Sequence, residues 1–307
     1  MIAIRAVETA TKPVSVQSHE FHAMGTDFEI LLEADLGAKS LASLQIAEAE
    51  IRRLDALLTR FRPESELSKL NRHGTLTGSL DLVTVVDLAL AGRALTNGRF
   101  DPTVHDAIVE AGYDRSFEQL APDRDEPEPF VAQPCGGGVA VDLERRTIRL
   151  DPGVRIDLGG IGKGYAVDRA CDILARTGPC LVNAGGDLAV RGSLGGGPWP
   201  VGVETPSGTV TLGLEGGAIA TSGRDLRRWR KGGEDRHHLI DPSTGSPATS
   251  NLLRVTVVAA SAVIAEIFAK GLFLAGERLA VREANALEIP CVLVTGDGRA
   301  VRAGGLA

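Results

Sequence analysis

The sequence predicts an α+β fold, a largely antiparallel sheet with packed helices, and three observations carry that prediction. Short β-rich runs crowd the C-terminal half: PCLVNA, DLAVRG, WPVGVET, VTLGLE, LLRVTVVA and CVLVTG. Helical periodicity comes in separate blocks, at 45–61, 163–176 and 261–286, rather than in strict alternation with the strands. No regular βαβ repeat is present, which argues against a doubly wound parallel sheet.

In chain order, residues 1–18 read as a polar leader and 19–307 as the folded part, long enough for one large domain or two ordinary ones. FHAMGTDFEILLEA, residues 21–34, reads as a strand. In QIAEAEIRRLDALLTRF, residues 45–61, Ile51, Leu54, Leu58 and Phe61 recur at helical spacing while the charges fall elsewhere on the wheel. A further helix is expected from about Leu82 to Leu95. APDRDEPEPFVAQPCGGG, near 121–138, combines prolines, acidic residues and glycines and reads as a surface excursion. VAVDLERRTIRL, 139–150, has the form of a β-hairpin.

Composition narrows the function. The 307 residues are 43% hydrophobic and carry a formal net charge of −7, enough apolar chain for a sizeable core and no basic footprint for nucleic acid or an anionic membrane. Cys135, Cys171, Cys180 and Cys291 lack metal-finger spacing and read as free core thiols. The N-terminus shows no signal peptide or lipobox and no run is long enough for a membrane span, so the chain as written reads as cytoplasmic.

Chemistry is expected where glycines and polar residues interrupt the elements. RIDLGGIGKGYAVDRACDILA, 155–175, reads as strand, glycine turn and helix: Gly159, Gly160, Gly162 and Gly164 allow close backbone approach, and the helix start with Lys163 suits a phosphate. It matches neither a Walker A loop nor GxGxxG, and a generic glycine turn is an equal reading. In AIATSGRDLRRWRKGGEDRHHLIDPSTG, 218–245, a small-residue strand enters an arginine-rich segment and paired histidines. His237 or His238 could serve as general base, phosphate contact or hydrogen-bonded structural residue. TNGRFDPTVHDAI, 96–108, places Asp101 in an Asp-Pro-Thr turn that also fits a plain helix start.

These motifs, in this order, resemble the ApbE family of FAD:protein FMN transferases. The resemblance runs through AMGTDFEI, FRPESELSKLN, GRFDPTV, DLGGIGKGYAVDRA, NAGGDLAVRG, PWPVGVETP, IATSGR and HHLIDPSTG, and covers nearly the whole chain. It implies an ApbE-like, T-fold-related single domain that binds FAD, cleaves its pyrophosphate with a divalent metal, usually magnesium, and passes FMN to a threonine or serine hydroxyl of an acceptor flavoprotein while AMP leaves. It also implies FAD contacts from Met24, Phe61, Arg99, Phe100, Asp101, Asp157, Lys163 and the backbone near Leu239, with His238 and Lys163 in catalytic roles. For Met24 and Phe61, ordinary core packing is the competing reading.

One stretch departs from that pattern. Family members commonly carry an aspartate and, four residues later, a threonine that reach one metal ion, together with a backbone carbonyl that matches Gly160 here. This chain reads AEIFAKGL, with Glu266 and Lys270 at those positions. Glu266 keeps a hard oxygen ligand, whereas the Lys270 ammonium has donors only. Three readings follow: the metal shifts and FMN transfer survives; Lys270 takes the metal's place in a protein that holds FAD, as a redox cofactor or for a partner; or the chain hydrolyses FAD to FMN and AMP.

Overall fold

The protein is described from a computed structural model, covering residues 4–5, 14–121, 123–124, 130–206, 208–225 and 227–306. Its centre is an eight-stranded sheet in the spatial order 300–303, 291–295, 252–259, 216–223, 187–191, 180–184, 26–33 and 16–23, with every neighbouring pair antiparallel. Side chains alternate between its faces as strand geometry requires. Val182, Ala189 and Ala218 face helices, and Leu181, Val190 and Ile219 face the opposite side.

The helical face carries α1 (Ala38–Leu58), α2 (Glu66–His73), α3 (Leu80–Leu95), α5 (Gly162–Leu174), α6 (Ala262–Ala275) and α7 (Glu277–Ala286), while α4 (His105–Glu110) packs in a separate cluster with Trp229 and Ile240. Of these, α1, α3, α5 and α6 bury their apolar stripes in the core clusters over the sheet. The opposite face is covered by the hairpin Trp199–Thr205 and Gly208–Leu214, whose Trp199, Val201, Val203 and Leu212 meet the outward row of the large sheet. Period-two burial on both hairpin and sheet makes this a sheet-on-sheet layer.

Several boundaries differ from the sequence reading. The 21–34 strand is a hairpin, Val16–Ala23 with Thr26–Glu33, so Val16–Ser18 belong to the sheet and not to a leader. Its two-residue turn places Met24 at φ 51 and Gly25 at φ 66, the paired positive values of a primed hairpin turn. Methionine seldom occupies that position, which hid the reversal. The helix expected at 45–61 begins at Ala38 and ends at Leu58; Ile51, Leu54 and Leu58 are buried, whereas Phe61 lies beyond the end and is 38% exposed. The block at 261–286 divides at Gly276, φ 72, into α6 and α7. Residues 130–138 form no helix or strand; most of 121–129 lies outside the described residues. The 139–150 hairpin is present as Val139–Asp142 and Thr147–Leu150. Cys171, Cys180 and Cys291 are buried thiols, but Cys135 is only half-buried.

One side chain sets the approach to the glycine turn. Asn71 on α2 donates through Nδ2 to Ile156 O and accepts through Oδ1 from Ile156 N, both at 2.8 Å, so its amide pairs with the chain as a strand would. Ile156 is fully buried. Asn71→Ala therefore leaves two backbone groups unsatisfied and is expected to cost about 1–3 kcal/mol for each group that stays dry, read as a fall in the denaturant midpoint.

Candidate functional site

The site lies at one end of the large sheet, where hairpin turns meet the start of α5. α5 has no side-chain cap of its own at Ile161, and the cap comes from another helix: Glu266 on α6 accepts from Gly164 N through Oε2 at 2.9 Å. In return Asp168 on α5 accepts from Ala262 N at 3.0 Å and Val263 N at 3.1 Å, at the start of α6. Each helix thus supplies a carboxylate to the positive end of the other, which satisfies amide donors that the helices leave free. Close approach makes this possible. A Cβ on Gly164 would lie 2.8 Å from Ala262 C and 2.8 Å from Glu266 Oε2.

Two lysines and two acids share the space in front of that helix start. Lys163 Nζ binds Asp187 Oδ2 and, at 2.9 Å, Glu266 Oε1. Lys270 Nζ stands 3.5 Å from the same Glu266 oxygen. Asp187 follows the Gly185–Gly186 turn, and its Oδ1 accepts from Thr221 N at 3.3 Å. Burial alone would raise the Glu266 pKa; Lys163 and Lys270, with the Gly164 amide, hold it at about 2. Burial works against the Lys163 ammonium, yet Asp187 and Glu266 keep it charged, above the ordinary lysine range. Burial and the neighbouring Glu266 charge push Asp187 upward, against the pull of Lys163.

The paired histidines separate into two roles. His237 is structural: its Nδ1 accepts from Leu239 N at 3.3 Å and its Nε2 donates to Ala248 O at 3.0 Å. His238 is half-buried, with Nδ1 3.5 Å from Arg227 O, and among the described residues Nε2 has no hydrogen-bond partner. Burial first, then the cations Arg227 and Lys270, push its pKa well below the histidine norm, so the imidazole is neutral and can accept a proton. Burial also lowers His237. A depressed histidine stabilises the fold above its unfolded pKa of about 6.5 and loses that contribution as pH falls toward its folded value. The unfolding temperature of wild type relative to His238→Asn is therefore expected to fall on acidification from about pH 7 to about pH 5; a constant difference would reject the assignment. Taking the difference removes the carboxylate contributions common to both.

The other sequence-predicted residues divide between those that border this cluster and those used internally. Met24 reaches the glycine turn, its Cε 3.9 Å from where a Gly162 Cβ would stand. Asp157 supports the turn through Gly159 N at 2.8 Å and pairs with Arg60 Nε at 2.7 Å. Phe61 does not pack in the core as the competing reading held; its ring lies under the Arg60 guanidinium at 4.2 Å and 5.8 Å from the Tyr113 ring. Phe100 is buried, and its ring edge lies 3.4 Å from the Cβ position of Gly160. Arg99 is directed elsewhere, to Glu283 and to Gly271 O at 3.0 Å. Asp101 caps its own turn, accepting from Thr103 N and Oγ1 at 2.8 Å each. Leu239 is buried, and its carbonyl accepts from Ala248 N at 2.9 Å. Asp187, Arg60, Tyr113 and Arg227 were not singled out from sequence, although NAGGDLAVRG and the arginine-rich segment contain two of them.

The donor set around Glu266 does not suit a hard divalent ion, which takes about six oxygen ligands. Glu266 Oε1 already faces two ammoniums and Oε2 an amide, and Lys270 has no lone pair to give. Among the described residues no group of three His, Cys, Asp or Glu side chains is placed to hold a metal.

A buried cluster of two lysines and two acids at a helix start, at the end of an antiparallel sheet, marks the site of this α+β protein. The chain belongs to the ApbE family, whose model matches residues 24–293. It is 32% identical over 293 residues to an FAD:protein FMN transferase of Vibrio cholerae, covering 90% of this chain and 86% of that one. Among solved structures it is similar to the ApbE protein of Thermotoga maritima, with TM-score 0.81, 27% identity and coverage of 94% and 97% of the two chains. It is also similar to the flavin transferase ApbE of Vibrio cholerae, with TM-score 0.76, 27% identity and coverage of 95% and 98%. No helix among the described residues is long and apolar enough to cross a membrane.

Proposed function

We propose that this chain takes FAD as substrate and transfers its FMN portion to a threonine or serine hydroxyl of an acceptor flavoprotein, releasing AMP. The observation that carries the reading is the cationic start of α5, with Lys163 fixed by Asp187 and Glu266, together with a neutral His238 whose pKa the Lys270 charge helps to depress, in a chain of this family. In the proposed step the acceptor oxygen forms a bond to the FMN phosphorus, the P–O bond to the AMP phosphate breaks, and the electron pair leaves with AMP. His238 takes the hydroxyl proton; the Lys163 ammonium counters charge on the phosphate oxygens, the main demand of phosphoryl transfer, whereas the amides of Gly159, Ile161, Gly162 and Gly164 are bonded within the protein. Met24, Phe61 and Asp157 are proposed to border the flavin nucleotide, with Phe100 supporting the turn from below and the Leu239 backbone flanking His238. Arg99 and Asp101 act by building the adjoining turn.

Magnesium has no step in this scheme, because the Glu266 environment does not fit it. The test is to incubate the chain with FAD and a threonine-bearing acceptor, following AMP release beside covalent flavin fluorescence on the acceptor. AMP with label in equal amount is expected. AMP without label would make the chain an FAD hydrolase, and bound FAD left intact would make it an FAD-holding protein.

A further inference from the structure

Of the two lysines in front of the start of α5, Lys270 is the one that the scheme above leaves unused. Its stem lies along the glycine turn: a Cβ on Gly160 would stand 3.2 Å from Lys270 Cε and 3.4 Å from Cδ. Its side chain keeps 15% of its exposure while Glu266 beneath it is fully buried. The two ammoniums are held unequally. Lys163 is bound to both Asp187 and Glu266, whereas among the described residues the Lys270 ammonium pairs with Glu266 Oε1 alone, and at 3.5 Å. An ammonium has three donors, so Lys270 retains hydrogens for a ligand while its position is fixed by the glycine turn below and the carboxylate behind.

Charge points the same way. The two carboxylates balance the two lysines, so the cluster is formally neutral, yet both acids sit deeper than the cations they hold. The surface offered outward, at the N-terminal end of α5, is therefore positive. A divalent ion at this place would have to displace Lys270 from Glu266, and among the described residues no group of three His, Cys, Asp or Glu side chains is placed to hold it.

We infer that the Lys270 ammonium is a resident cation for the pyrophosphate bridge of FAD, lying between Glu266 and the Gly159–Gly164 turn and making FAD binding independent of divalent metal. The inference rests on FAD being the substrate. It also explains why the chain can keep a buried Glu266 without a metal partner: the acid serves as helix cap and as anchor for two ammoniums.

The test is a binding titration followed by flavin fluorescence, using FAD and riboflavin in parallel, with chelator and across a magnesium series at constant ionic strength so that screening does not change. Wild type is expected to bind FAD with an affinity that chelation leaves within about twofold. Lys270→Met keeps the apolar stem and removes the charge; it is expected to lose about tenfold in FAD affinity, roughly 1.4 kcal/mol, with riboflavin affinity unchanged. Lys270→Thr removes the charge and adds an oxygen, and is expected to regain FAD affinity only as magnesium is added. Magnesium-dependent FAD binding by wild type would overturn the inference, as would equal FAD affinity in wild type and Lys270→Met. Loss of both ligands in Lys270→Met would show a structural role and overturn it too. Riboflavin binding without FAD binding, or binding of neither by wild type, would instead remove the FAD-transfer reading, and with it this inference.

Discussion

Glu266→Ala is expected to destabilise the protein by about 3–5 kcal/mol, the range found when one member of a buried ion-pair network is removed and its partners are left charged. Glu266 is fully buried and serves three groups at once: Lys163, Lys270 and the Gly164 amide. Removing it leaves a helix start without its acceptor and two ammoniums facing each other across a cavity. Glu266→Gln separates the causes, since the amide oxygen can still accept from Gly164 while the side-chain charge is gone. It is expected to recover part of the stability and little of the FAD affinity. Urea midpoints at neutral pH measure the first quantity and flavin titration the second; an unaltered midpoint in Glu266→Ala would show that the network carries no stability. The carboxylate pKa of about 2 sets the pH window. The contribution is complete above the unfolded glutamate value of about 4.3 and is lost as pH falls toward 2.

Gly164→Ala is the second large effect, although on helix propensity alone the change should stabilise by up to about 1 kcal/mol. The new methyl would meet backbone, 2.8 Å from Ala262 C and 2.9 Å from Ala262 O, as well as the Glu266 carboxylate. Backbone cannot rotate away as a side-chain end can, so α5 and α6 must separate. Overpacking of this kind typically costs about 1–3 kcal/mol, and here it also lengthens the hydrogen bond from Gly164 N to Glu266. Gly162→Ala is the control. Its Cβ would meet nothing nearer than Leu58 Cδ1 at 3.7 Å, so the substitution is expected to be neutral or stabilising. If both variants lose stability equally, the close approach of the two helices is not the cause.

The fold was legible because its strands are short, separated by turn residues and patterned for half-buried sheet. Each C-terminal β-rich run became a strand, from Cys180–Ala184 through Cys291–Thr295. What escaped was local and conformational. The Met24–Gly25 reversal was hidden because a methionine holds a positive φ there, and the Gly276 break because one glycine inside a periodic block is a weak signal. In the site, Lys163 could be picked out from its glycine turn, and Glu266 and Lys270 from the family resemblance, and they do meet. Their joint partner Asp187 could not: its place beside Lys163 depends on a pairing between strands that are distant in sequence from α5. Nor do residue type and spacing distinguish the two histidines, since only the backbone around Leu239 and Ala248 decides that His237 is tied down on both ring nitrogens.

The order of the large sheet leaves two strands at its margins, Val16–Ala23 and Ala300–Ala303. A bare margin invites another chain to add itself, which is the first step toward aggregation. The longer one is defended by its composition and by α1. His19, Glu20 and His22 put polar side chains along it; Glu48 takes His19 Nε2 at 2.6 Å, and Arg52 donates to the His22 carbonyl at 3.2 Å, occupying an acceptor that an incoming strand would use. The Arg52 guanidinium also covers the Phe21 ring at 5.2 Å. The other margin is only four residues long and carries Arg302. The same sheet that gathers the site at one of its ends is thereby kept from growing sideways, and concentrated solutions of the protein should resist strand-to-strand association.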